Sequence, residues 1–129
     1  MQLSLLARHV SLEAVCALLD GGWMDLYDGS PPSSDLQSTN DHQRLASLRF
    51  GSLAFAAPAN GIANAHPIQP DTDATGGGTA SWYRLTQADH ETPIADGTVG
   101  IEGADLNLRA VEIPSHVEVR IEAFVLVAP

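Results

Sequence analysis

The chain has 129 residues, 44% of them hydrophobic and 17% charged, a length that fits one domain and leaves little room for two. A domain of this size buries about two thirds of the surface its open chain exposes, so its core needs neither a metal nor a disulfide. Six positive residues, all arginine, face sixteen carboxylates, and the formal charge of -10 excludes phosphate-backbone and anionic-lipid surfaces as natural partners.

In chain order the first predicted element is a helix over about 11–20. Ser11 stands as its N-cap, Glu13 lies in the electropositive first turn, and Leu12, Val15, Cys16 and Leu19 keep helical spacing up to the stop at Asp20-Gly21-Gly22. Cys16, the single cysteine, sits among Val15, Leu18 and Leu19 and reads as a small buried hydrophobe. A short strand follows over 23–28, with Met24 and Leu26 on one side and Trp23, Asp25 and Tyr27 on the other. The simple picture is a helix packed at a sheet edge.

Residues 29–44 are rich in Ser, Pro, Asp and Asn and predict a long exposed loop, a candidate contact arm. From residue 45 onward the chain breaks into short apolar runs at 45–50, 61–65, 79–86, 93–99, 105–111 and 116–127, punctuated by turn signals such as Pro58-Ala59-Asn60-Gly61, Asp96-Gly97 and Pro114-Ser115. The last run has the plainest alternation, placing Val117, Val119, Ile121, Ala123, Val125 and Val127 on one face, while Phe124 and Leu126 make the other face apolar near its end. The pattern predicts a mainly β protein, an antiparallel β-sandwich or partly closed barrel over 45–129 with one N-terminal α-helix.

The chemistry-bearing residues form no reacting centre by spacing. There is no G-x-S-x-G, and Gly51-Ser52-Leu53 lacks the second glycine of a nucleophile elbow. His9, His42, His66, His90 and His116 are scattered without an H-x-x-x-H pair and read as polar surface residues. Asp71, Asp73 and Gly76 echo a calcium loop but lack its downstream bidentate Glu, and turn capping accounts for them. Asp89, His90 and Glu91 read as a polar hairpin tip whose side chains point in different directions. Gly76-Gly77-Gly78 has no following lysine and serves a sharp turn instead of a phosphate cradle. The expectation is therefore a protein without cofactor or metal, and not an enzyme.

Several blocks carry a resemblance. The helix ending in Gly21-Gly22, then Trp23-Met24-Asp25-Leu26-Tyr27-Asp28-Gly29-Ser30-Pro31-Pro32, Leu48-Arg49-Phe50 and Ala54-Phe55-Ala56-Ala57-Pro58-Ala59-Asn60-Gly61, resembles a family of small virion proteins of tailed bacteriophages. Gly78-Thr79-Ala80-Ser81-Trp82-Tyr83-Arg84-Leu85, Asp96-Gly97-Thr98-Val99-Gly100, Gly103-Ala104-Asp105-Leu106-Asn107-Leu108 and the closing 117–129 strand are similar to its later blocks. The chain departs from that family in its Pro- and Ser-rich loop and in Glu112, Glu118 and Glu122.

The resemblance implies a structural virion component of capsid, neck or tail that decorates, cements or joins parts of the particle. Its expected partners are other virion proteins and further copies of itself, with no nucleic acid and no membrane. No run approaches the ~18 apolar residues of a membrane span and no cleavable leader is legible, so synthesis in the host cytoplasm and residence in the virion are expected. The candidate contact residues are Trp23, Tyr27, Arg49, Trp82, Tyr83, Arg84, Phe124 and Leu126. The alternative is a host-recognition or carbohydrate-binding module, with Trp82 or Tyr83 as an exposed platform and the 71–78 loop holding calcium.

Overall fold

A computed structural model describes residues 2–31 and 42–128. Most of the segment expected as an exposed loop, 32–41, lies outside the described residues. The described residues form one helix, α1 (Leu5–Leu18), and nine strands: β1 (Trp23–Tyr27), β2 (Arg44–Arg49), β3 (Ile62–Asn64), β4 (Gly78–Thr79), β5 (Trp82–Thr86), β6 (Pro93–Gly100), β7 (Leu106–Asn107), β8 (Glu112–Ile113) and β9 (Val125–Val127). The protein is mainly β with one N-terminal helix, as the sequence predicts, and its largest sheet curls into a half-barrel.

The helix starts earlier than Ser11. Ser4 is the N-cap, its side chain accepting the Ala7 N–H at 3.1 Å, and Ser11 lies mid-helix, where its hydroxyl donates to the Ala7 carbonyl. A serine satisfied one turn back along the helix no longer has to terminate it. Leu12, Cys16 and Leu19 are buried as expected, and Asp20 then accepts the Ala54 N–H at 2.8 Å, tying the helix end to the chain after β2.

The main sheet runs β2-β1-β5-β6-β7. β1 lies inside it, flanked by β2 and β5, so the β core begins at Trp23, well before residue 45, and β1 is no edge. Its alternation sets both faces. Met24 and Leu26 join Leu48, Ala46, Leu85 and Tyr83 in the core, whereas Trp23, Asp25 and Tyr27 share the other face with Arg49, Ser47, Arg84 and Trp82. β6 and β7 pair in parallel, unlike the other strands. The connection is only a tight turn, closed by reciprocal bonds in which the Thr98 N–H donates to Asp105 Oδ2 and the Asp105 N–H donates to Thr98 Oγ1, each at 3.0 Å.

The run expected as the last long strand is divided. Val119 forms an isolated bridge with Asp71, and only Val125–Val127 is regular strand, paired with β3. The inward positions run Val117, Val119 and Ile121, then Phe124, Leu126 and Ala128, so the alternation slips by one residue near Glu122. Side chains on a strand alternate with period two, so one slipped residue exchanges the faces. Phe124 and Leu126 therefore point inward, and Val125 and Val127 point to solvent, the reverse of the expected assignment. The slip lets one segment serve two partners in turn.

Candidate functional site

The outer face of the main sheet concentrates the polar and aromatic side chains. Asp25 is buried and accepts three side-chain contacts: Ser47 Oγ donates to Oδ1 at 2.6 Å, His90 Nε2 lies 2.9 Å from each carboxylate oxygen, and Arg44 Nη1 stands 3.8 Å away. His90 reaches this position from a left-handed backbone at φ 62, and its ring stacks on Trp23 with centroids 4.2 Å apart. Arg49 also lies over the Trp23 ring, 4.7 Å from its centroid, and donates through Nε to the Gly21 carbonyl at 3.1 Å. The result is a cluster in which Arg49 and His90 both pack on Trp23 beside a buried carboxylate.

This cluster holds a serine, a histidine and an aspartate, but in an order that does not activate a nucleophile. The carboxylate bridges the other two, so the Ser47 hydroxyl directs its proton onto Asp25 instead of an imidazole base. What the arrangement does is mechanical: it fastens the turn between β5 and β6 onto β1 and β2. Asp89 secures the same turn, accepting the backbone N–H groups of Glu91 and Thr92 at 2.9 Å each and the Thr92 hydroxyl. Those hydrogen bonds, the Thr92 hydroxyl first, hold the Asp89 carboxyl below its ordinary value of 3.8.

Further along this face, Tyr27 stacks on Trp82 with centroids 4.5 Å apart, and His42 meets both rings edge-on. Trp82 is fully buried, its indole N–H donating to the Asp28 carbonyl at 3.0 Å. Arg84 makes a bidentate pair with Asp96, Nε to Oδ1 at 2.7 Å and Nη2 to Oδ2 at 2.9 Å, which raises the guanidinium above its ordinary value. On the core side the Tyr83 ring meets Phe124 edge-on at 5.5 Å, and Phe50 and Phe55 complete an aromatic centre around Phe124. Burial, then the charges of Asp105 and Asp96, push the Tyr83 phenol well up.

The eight candidate contact residues thus divide. Tyr27, Trp82, Tyr83, Arg84 and Phe124 are buried inside the protein, while Trp23, Arg49 and Leu126 keep solvent-facing surface. Trp82 and Tyr83 do lie on opposite faces of β5, as alternation requires, yet both faces are covered, so neither ring is an exposed platform. In the 71–78 segment, Asp71 spends one oxygen on the Ser47 N–H and the other on the Asp73 N–H, and Asp73 pairs with His116. Among the described residues no cluster of His, Cys, Asp and Glu is gathered to hold a metal ion.

An open cleft of about 540 Å³ lies elsewhere, with Leu108, Ile113 and Val119 in its floor. Four of the charges along it are paired, Arg109 with Glu122 at 2.6 Å and Arg120 with Glu118 at 2.5 Å, and Glu112 also lines it. A second depression of about 320 Å³ is lined by Arg49, Arg120 and Pro70.

The surface with most to say is α1. Opposite the buried Leu12 and Cys16, the helix exposes Leu6, Val10, Ala14 and Leu18 at every fourth position, with Leu6 72% accessible. The stripe runs for about 18 Å along the helix. Starting the helix at Ser11 hides it, because Leu6 and Val10 then fall outside; the signal was the i, i+4 recurrence of apolar residues upstream of that serine. No described helix is long and apolar enough to cross a membrane. Compared with known proteins, the chain matches no family model, no curated protein and no solved structure.

Proposed function

We propose that this protein is a non-enzymatic structural component of a bacteriophage particle, made in the host cytoplasm and built into the virion by contacts with other virion proteins and with its own copies. The resemblance of its glycine-punctuated strand blocks to small virion proteins of tailed phages supports the particle. One structural observation carries the contact role: α1 is apolar on both faces, and only one face is used inside the chain. Arg8, His9, Ser11 and Glu13 lie between the two apolar stripes, so the outer one is a distinct strip of apolar surface that a partner can cover. Each leucine left in water forgoes about 1.5–3 kcal/mol, which a docking partner restores on covering it.

The outer sheet face fits this role, since the Asp25 and Arg84 networks stiffen a shape instead of preparing a reaction. Burial of Trp82 and Tyr83 takes away the stacking platform on which a carbohydrate-binding role depends. The test combines Leu6→Glu with Val10→Glu in the encoding phage. Both side chains face solvent, so the protein should keep its far-ultraviolet circular dichroism while its copy number in purified particles, measured by quantitative mass spectrometry, falls at least about tenfold, the factor expected for loss of ~1.4 kcal/mol of contact. Undiminished incorporation of the doubly substituted protein, or absence of the unaltered protein from particles, rejects the reading.

A further inference from the structure

The edges of the sheets are not treated alike. β2, at one end of the main sheet, is closed off along its outer side: the Arg49 N–H and carbonyl exchange bonds with Gln69, the Ser47 N–H donates to Asp71, and the Leu45 carbonyl accepts from Gly76. β3 is likewise engaged on its far side, where the Asn64 carbonyl accepts from Ala56 and Ile62 exchanges bonds with Ala59. β9 differs. It pairs with β3 through its even-numbered residues, as the bonds from the Ala128 N–H to the Gly61 carbonyl and from the Ala65 N–H to the Phe124 carbonyl fix the phase. The N–H and carbonyl groups of Val125 and Val127 therefore point away from the sheet, and none of them has a hydrogen-bond partner among the described residues.

Open edges of this kind template pairing with another strand unless charge, proline, a bulge or a covering segment blocks them. β9 carries no charge, no proline and no bulge. Its outward side chains are also apolar, with Val127 67% accessible and directly opposite exposed Ile62 on β3. No charged residue occurs in 59–65 or 123–128, an uncharged window in a chain of net charge -10. That window is where two acidic copies approach each other with least repulsion.

We propose that β9 pairs edge to edge with β9 of a second copy, antiparallel about a two-fold axis at Leu126. The register is dictated by the phase of the free groups. Val125 of one copy stands opposite Val127 of the other as a hydrogen-bonded pair, twice by symmetry, and the two Leu126 residues face each other as the non-bonded pair between them. Four backbone bonds close, and a continuous sheet β3-β9-β9-β3 results whose outer face carries rows of Ile62, Val127, Val125 and Asn64. A three-residue edge is far smaller than the ~1,200–2,000 Å² of a stable dimer, so this pairing is weak and depends on concentration, the regime in which a symmetric particle multiplies small contacts. The inference rests on the assembly reading and names its partner and its strand.

Sedimentation velocity of the full chain across a concentration series tests it. The unaltered protein should show reversible dimerisation. Val127→Pro, which removes only an amide the fold does not use, should weaken it at least about tenfold with unchanged circular dichroism. Val125→Lys, an outward side chain on the edge, should do the same and stands in if the proline variant does not fold. A protein that stays monomeric up to about 1 mM, or dimers unmoved by either substitution, overturns the pairing. If Leu6→Glu disrupts association while Val125→Lys does not, β9 is rejected and the assembly reading stands. Loss of dimers with Val125→Lys in a protein absent from particles supports the pairing and rejects the virion reading.

Discussion

At the scale of single residues, two positions show how backbone and side chain constrain each other. Gly97 in β6 faces Tyr83 in β5, and a Cβ there would fall 2.3 Å from the phenol Cζ and Oη. The ring is wedged against Phe124 and has nowhere to retreat, so Gly97→Ala should destabilise the protein by about 1–3 kcal/mol in urea unfolding. Tyr83→Leu should absorb part of that cost in a double-mutant cycle, and strict additivity would show that the ring does not occupy the glycine's space. Asp89 makes a different point. Its folded-state pKa is lowered, so its ionised form contributes stability that is fully present above the unfolded value and is lost as pH falls through the folded one. The stability gap between the native protein and Asp89→Ala should therefore hold at neutral pH and close only below 3.8, and a gap unchanged across the acid range would refute the capping role.

Among the elements, α1 and the final segment separate local signals from the contacts that decide between them. Ser4 and Ser11 are equivalent N-caps by residue type, but only Ser4 receives the Ala7 N–H. Ser4→Ala should cost about 1 kcal/mol and Ser11→Ala far less, as read from paired melting curves; equal losses would contradict the assigned helix start. The burial of Cys16 within this helix, with the charges of Asp20 and Glu13 adding to it, pushes its thiol up, in keeping with a core side chain instead of a nucleophile. The 116–127 run teaches the converse. Its composition is strand-like throughout, yet the backbone first meets Asp71 and Ala74 and then β3, and the shift between those two partners reverses which valines are wet.

For the whole molecule, α1 and β9 present apolar surface that the chain leaves in water, while the outer sheet face is locked by Asp25 and Arg84. Such a division, stiff scaffold and apolar margins, fits the assembly role proposed above. The sequence by itself determined the mainly β class, the N-terminal helix, the strand at Trp23, the opposed faces of β1 and the turns at Gly21 and Gly61, because periodicity and turn chemistry are local properties written in neighbouring residues, whereas the turn expected at Asp96-Gly97 is instead strand inside β6, paired with Arg84 and Tyr83. Tertiary structure alone decided that β1 is an interior strand, that β6 and β7 run parallel, that Asp25 gathers Ser47 and His90, and that Phe124 is covered while Val127 is bare. Those outcomes depend on which distant segments meet, and a side chain's exposure is fixed by the partner across from it, a quantity no run of adjacent residues contains.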